Sequence, residues 1–390
     1  MDNLSKVYFD YAATTPVDPH ILEVMLPYFT QIFGNSSSIH QFGQSAEAAL
    51  ESSRQEIARI LNCQLDEVIF TACGSESDNL AIRGLALAAW KDRGAKHILI
   101  SPVEHHAVSK TALQLAGVLD FEVELLPVDR FGLVSTAAVA SHIRPDTALV
   151  SIIYANNEIG SINPISEIGE ICRQAGVPFH TDAVQAGTYL PIDVEELNVD
   201  AMSLGAHKFY GPKGVGALYL RKGIPILPTQ TGGGQEWCLR AGTHNVAFIV
   251  GMAEALKIAH ERKQARIDHL LPLRDYLIGH VLEEIPGSQL TGHPTNRLPN
   301  HASFIFEGVD GNSLLMMLDV AGFACSSGSA CKTGDPEPSD VLLSLGLPSN
   351  WALGSLRVTL GEGTTSEQIE RFLEVLPQII ERARKISIQN

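Results

Sequence analysis

The sequence predicts an α/β fold: a mostly parallel, seven-stranded sheet with helices on both faces, followed by a smaller α+β unit. Three observations carry this. Short apolar, β-rich runs alternate with amphipathic stretches of helical spacing, the signature of a parallel sheet covered by helices. The pattern changes after Gly287, where strands and helices recur in a compact tail. The 390 residues are also too many for one compact core.

The strand-like runs are Val68–Thr71, His97–Ser101, Val123–Leu126, Ala148–Tyr154, Pro178–Thr181, Ala201–Leu204 and Gly216–Leu220. Between them, Ser45–Leu61 places Ala46, Ala49, Leu50, Ile57, Ile60 and Leu61 at helical spacing. Ser75–Arg93, His105–Gly117 and Ile165–Ala175 read as helices too. A long helical tract, Asn245–Leu282, is expected to be interrupted at Pro272. The tail reads as strand (Ala302–Phe306), helix (Asn312–Val320), Gly/Ser-rich loop, strand (Leu356–Leu360) and final helix (Ser366–Ala383). The expected division is an N-terminal segment, 1–15, packing with the smaller unit, a large domain, 16–262, and a small C-terminal domain, 263–390.

Composition excludes several classes. The formal net charge is −16, against the Lys/Arg excess that nucleic-acid binding requires. No apolar run reaches membrane-span length and the first eleven residues carry Asp2 and Asp10, so neither a membrane nor a signal peptide is expected. The expected location is cytoplasmic. The six cysteines form no CxxC pair, so no metal site is expected.

In a parallel sheet, ligands bind beyond the carboxyl ends of the strands. Three motifs lie there. Thr71-Ala-Cys-Gly-Ser-Glu-Ser-Asp-Asn79 follows a strand and opens a helix, where free N–H groups and the dipole suit a phosphate. Gly74 permits close approach and Ser75 adds a hydroxyl; a plain N-cap with Glu76 and Asp78 in the first turn is the other reading. His180-Thr-Asp182 ends a second strand, and an Asp there either caps the next helix or pairs with a cationic ring nitrogen. Ser203-Leu-Gly-Ala-His207-Lys208 sets one lysine between a strand and a Gly/Pro turn. It is either a loop lysine or, once desolvated or bound as a Schiff base, a reactive amine.

Phosphate turn, Asp and Lys in that order resemble the fold-type I pyridoxal-phosphate enzymes, in the class V aminotransferase branch and its NifS/IscS-type cysteine desulfurases. The resemblance covers nearly the whole chain: Tyr11-Ala-Ala-Thr-Thr-Pro-Val-Asp18, Gly34-Asn-Ser-Ser-Ser38, Glu104-His-His-Ala-Val108, Asn156-Asn-Glu-Ile-Gly160, His207-Lys-Phe-Tyr-Gly-Pro-Lys-Gly214, Gly232-Gly-Gly-Gln-Glu236, Arg240-Ala-Gly-Thr243, Ser326-Ser-Gly-Ser-Ala-Cys331 and Leu356-Arg-Val-Thr-Leu-Gly361.

The resemblance implies that Lys208 is the Schiff-base lysine of pyridoxal 5'-phosphate and that Asp182 pairs with its ring nitrogen. It implies that His105 stacks on the ring and moves protons and that Gln185 bonds the phenolic oxygen. Gly74, Ser75, Gly205, Ala206 and His207 would hold the phosphate. Thr243 would reach the phosphate of a second subunit in a homodimer; Asn157 would contact the cofactor and, with Arg357, hold the substrate carboxylate. Cys331 would be the nucleophile. Its loop is small and polar, and neighbouring Lys332 favours the thiolate that attacks. The implied reaction converts L-cysteine to L-alanine with sulfur kept on Cys331 as a persulfide, for a sulfur-acceptor protein in iron–sulfur cluster assembly or other thiolation. A selenocysteine lyase or aminotransferase of the same fold is the alternative.

The chain departs from the family pattern in places. Trp237-Cys238 stand where Arg-Gly is usual, His244 replaces an acidic residue, Gly205 a Ser and Ser36 a Pro.

Overall fold

The computed structural model describes residues 6–328 and 338–389. Along the chain its strands are β1 (Val7–Tyr8), β2 (Val68–Thr71), β3 (His97–Ile100), β4 (Glu122–Leu125), β5 (Thr147–Ser151), β6 (Phe179–Asp182), β7 (Ala201–Gly205), β8 (Gly216–Leu220), β9 (Ser288–Leu290), β10 (His301–Phe306), β11 (Phe323–Ala324) and β12 (Ser355–Thr359).

Seven of them form one sheet in the order β2-β8-β7-β6-β5-β3-β4. The neighbours from β4 through β7 pair in parallel, while β8 runs antiparallel to both β7 and β2. Six strands therefore point the same way and end at one edge. Strands β3, β5, β6 and β7 are buried along their whole length. Helices cover both faces, so β3 and β5 are largely apolar, while β6 and β7 carry the buried polar residues His180, Thr181, Asp182 and Ser203. In β2, Val68 and Phe70 join one apolar cluster and Ile69 joins another on the opposite face. This is the fold-type I architecture that the sequence predicts.

The second sheet, β12-β10-β9, is antiparallel. Its Phe304, Phe306 and Leu356 share a core with Leu270 and Leu277 of helix Lys263–Glu284 and with Phe372 of helix Ser366–Gln389. β1 pairs in parallel with β11, and Phe9 stands edge-on to Phe372 at 5.5 Å. These two-residue strands are too short to show a period, and the sequence reading passed over them.

The helical tract breaks in a different place from the one expected. It splits at Arg262 into Val246–Glu261 and Lys263–Glu284, and Pro272 lies inside the second helix. A mid-helix proline frees the carbonyl four residues back. Here Pro272 and Asp268 are both exposed, so water can satisfy that carbonyl. Among the described residues no helix is long and apolar enough to cross a membrane.

Candidate functional site

The predicted site residues 74, 105 and 157 follow β2, β3 and β5, 182 ends β6, and 205–208 run on from the last residue of β7, all at the shared carboxyl edge of the sheet. Helix Gly74–Arg93 starts there with no side chain capping its first turn, leaving N–H groups for a ligand. Gly74 has a steric reason to be glycine, since a Cβ would sit 2.6 Å from Val184 Cγ2. A Cβ on Gly205 would meet the Gly74 nitrogen at 3.5 Å, so the β7 exit faces this helix start. That spacing is an ordinary contact, and it leaves room for the hydroxyl residue usual in the family.

Asp182 ends β6 with its carboxyl buried, and its Oδ1 accepts from the Val184 amide at 2.9 Å. Burial pushes its carboxyl up, opposed by the nearby His105 imidazole, by that amide and by Lys208. His105 is the N-cap of helix His106–Leu119, and its Nδ1 accepts from the Ala107 amide at 3.1 Å. It also reaches the site: single ligand atoms of His105, Asp182 and Asp78 lie within 4.8 Å of one another.

Lys208 closes a short turn after β7. Its Nζ donates to the carbonyls of Ala12 at 2.5 Å and Ala13 at 2.7 Å. Gln185 Nε2 donates to the same Ala12 carbonyl at 2.9 Å, so the two side chains meet at one oxygen. His207 Nδ1 lies 3.2 Å from the Thr14 hydroxyl. Burial, helped by Lys208 and Lys213, pushes this imidazole down to about 4, so it is neutral at neutral pH.

Arg357, on β12, is buried. Its Nη1 donates to the Asn157 carbonyl at 3.0 Å and its Nη2 to Asp10 Oδ1 at 2.9 Å, while Nε has no partner among the described residues. Arg357 also pairs through its backbone with Ser326. The two flanks of the Cys331 loop meet nearby. The Gly328 amide donates to the Ser355 hydroxyl at 3.4 Å, and the Ser339 hydroxyl donates to Glu158 Oε2 at 2.5 Å. Cys331 itself lies outside the described residues. Of the other cysteines, Cys63 and Cys172 have thiols pushed up to about 12 by burial, and burial raises Cys325 further, which makes them poor nucleophiles.

Thr243 is exposed and lines a cavity of about 170 Å³ with Thr71, Ala72 and Arg240. Arg240 ties this loop to Glu76, in the first turn of the Gly74 helix, at 2.8 Å. Three of the departures from the family pattern converge here. Ser36 Oγ lies 3.0 Å from His244 Nδ1, and His244 Nε2 lies 2.6 Å from Glu236 Oε1. Glu236 forks with buried Arg54, whose guanidinium covers the Trp237 ring at 4.7 Å. Ser36, Trp237 and His244 thus belong to one packed ionic cluster.

Sequence reasoning missed three acids. Asp78, which the N-cap reading sets in the first turn of its helix, is 1% exposed. The signal was available, because Asp78 shares a helix face with Ala81, Ile82 and Leu85. Glu104 is buried, with Oε1 accepting from the Ile153 amide at 2.6 Å, and burial raises its carboxyl well above the usual range. Glu158 is pushed up to about 7 by burial.

The residues present fit pyridoxal phosphate. A buried carboxylate at Asp182 calls for a cation, which a protonated pyridine supplies, and the uncapped helix start calls for an anion. The aminotransferase class-V family model matches residues 7–372. The chain belongs to that family. It is 49% identical over 381 residues to a cysteine desulfurase IscS of Methanosarcina thermophila, covering 98% of this chain and 93% of that one. It is 48% identical to a cysteine desulfurase IscS of Dictyoglomus turgidum, covering 98% and 96%. Among solved structures, a NifS-like protein superposes with a TM-score of 0.89 at 35% identity, covering 97% of this chain and 100% of that one.

Proposed function

We propose that this chain is a pyridoxal-phosphate-dependent cysteine desulfurase that converts L-cysteine to L-alanine and keeps the sulfur on Cys331 as a persulfide. The observation that carries the reading is the gathering of Lys208, Asp182, His105 and the Gly74 helix start at one edge of the sheet, with Arg357 beside the flanks of the Cys331 loop. When bound, pyridoxal phosphate supplies a protonated ring that draws electrons from the substrate's α-carbon.

The chain's own residues do the rest. Asp182 holds the ring nitrogen in its protonated form. The amides at Gly74 and Ser75, with Gly205, Ala206 and His207, hold the phosphate, and Gln185 bonds the phenolic oxygen. Arg357 and Asn157 orient the substrate carboxylate. Lys208 Nζ leaves the Ala12 and Ala13 carbonyls, takes the α-proton and returns it elsewhere on the substrate. His105 is placed to move the thiol proton. The Cys331 thiolate attacks the substrate sulfur: an S–S bond forms, the C–S bond breaks, and protonation at carbon gives alanine. The persulfide then passes to a thiol of a sulfur-acceptor protein, for iron–sulfur cluster assembly or other thiolation.

A homodimer, in which Thr243 reaches the partner's phosphate, is supported by an apolar surface. Leu22, Leu26, Phe29, Phe33, Ile39 and Phe42 are all more than half exposed within one stretch of sequence. The division into residues 1–15, 16–262 and 263–390 follows the same reading, with the third unit carrying the Cys331 loop.

The test supplies L-cysteine and pyridoxal phosphate and no keto acid. Alanine and persulfide sulfur are expected in equal amounts. Alanine that forms only with a keto acid would make the chain an aminotransferase, and turnover of selenocysteine alone would make it a lyase of that substrate. Lys208→Ala should lose the visible absorbance of the lysine-bound cofactor; unchanged colour would overturn the lysine assignment.

A further inference from the structure

Two carboxyls share one buried space behind the site. Asp78 is 1% exposed and Asp182 5%, with ligand atoms of both within 4.8 Å of each other and of His105. Among the described residues Asp78 Oδ1 has no hydrogen-bond partner. The nearest base, His180, is fully buried and already engaged: its Nδ1 lies 2.9 Å from Ser151 Oγ and its Nε2 3.0 Å from Ser203 Oγ, against 3.7 Å to Asp78. Two carboxylates this close in a dry site cannot both stay ionised, and one retains a proton.

We propose that Asp78 is the neutral acid of this pair, a positioning residue that leaves Asp182 as the single anion facing the cofactor's ring nitrogen. This rests on the reading of Asp182 as the ring-nitrogen partner. The assignment of the proton follows from surroundings. Asp182 accepts a backbone amide and lies close to Lys208 and His105, all of which favour its anion. The groups facing Asp78 are Asp182 and His180 of β6, Ser203 of β7, Glu104, and His105 at the next helix start. His180 is held neutral by burial, down to about 3, and offers no positive charge. Burial and the Asp182 charge raise the Asp78 carboxyl well above the usual range, outweighing the Ser203 hydroxyl, whose hydrogen bond lowers it. A second carboxylate would spread negative charge away from the ring; a neutral acid keeps it at one oxygen pair.

Infrared spectroscopy of the holoenzyme tests this. The wild type at neutral pH should show the carbonyl stretch of a protonated aspartic acid, and Asp78→Asn should remove that band. Selective isotope labelling of aspartate carboxyls separates it from the buried acids Glu104 and Glu158 without a mutation, should the variant fail to fold. In Asp182→Asn the Asp78 band should titrate away at lower pH, by about one unit or more, because the like charge is gone. A wild-type spectrum with no aspartic acid band, an Asp78→Asn spectrum that keeps it, or an unmoved titration overturns the proposal. Failure of the cofactor reading would show separately, as a chain without visible cofactor absorbance.

Discussion

Replacing Arg357 by Lys isolates the fork from the charge. The guanidinium is 3% exposed on its side chain and spends Nη2 on Asp10 and Nη1 on the Asn157 carbonyl, leaving Nε unpaired among the described residues. A carboxylate bound by a fork gains two parallel charge-assisted hydrogen bonds. Lysine keeps the charge, so Asp10 retains a cation and the fold keeps its ion pair, but only one bond to the substrate survives. A hydrogen bond to a charged group is worth about 1.5–3 kcal/mol. At about 1.4 kcal/mol per factor of ten, the KM for L-cysteine should rise roughly 10- to 100-fold. Because the carboxylate contact is made equally in ground and transition states, kcat should stay within about threefold. The assay is alanine formation over a range of cysteine concentrations, with the cofactor absorbance checked in parallel. A KM within about twofold of wild type, with the cofactor in place, would show that Arg357 is a structural partner of Asp10 and not a substrate ligand.

Other expectations follow from single contacts. Gly74→Ala puts a methyl 2.6 Å from Val184 Cγ2, an overpacking cost of about 1–3 kcal/mol. Pyridoxal phosphate titrations should therefore show weaker binding, with Val184→Ala restoring it in the double variant. Glu158 has a folded pKa of about 7 against an ordinary value near 4.5, so the folded chain binds the extra proton between those values. Its contribution is full below about pH 4.5 and is lost as pH rises toward 7, about 3 kcal/mol in all at about 1.4 kcal/mol per unit. Denaturant midpoints for Glu158→Gln should lack that part of the slope, and an unchanged slope would contradict the buried acid. Arg54→Leu takes the guanidinium fork from Glu236, whose fully buried carboxylate keeps only His244 and the Phe70 amide, and should cost about 3–5 kcal/mol in urea unfolding.

The large sheet was legible because strands covered on both faces are mostly apolar, as β3 and β5 are, although β6 buries His180, Thr181 and Asp182 and β4 is partly exposed. All seven runs recur as β2 to β8 within about three residues at either end. The smaller unit was legible where it follows the same rule, as in β10 and β12. The helical tract was misjudged at Pro272 because sequence alone cannot say that its freed carbonyl faces water. The helix before it ends instead at Arg262, where the chain leaves helical dihedrals at φ −96°, ψ 4°. The candidate site was legible as residue types beyond strand ends and, for roles, through the family resemblance. Glu104 and Glu158 were not, because a carboxylate reads as solvent-facing until its neighbours are counted; Asp78 was legible only through the apolar face of its helix. The meeting of Ser36 with His244 spans more than two hundred residues, and no periodicity encodes it.

The claim at the centre is that one amine and one thiol act on the same substrate. Purified chain treated with L-cysteine, quenched and mapped by mass spectrometry should carry one extra sulfur on the peptide containing Cys331. Cys331→Ser should keep the cofactor's absorbance and carry none, with alanine formation lost. A persulfide found on Cys73 or Cys238 instead, or full alanine formation by the serine variant, would contradict the account.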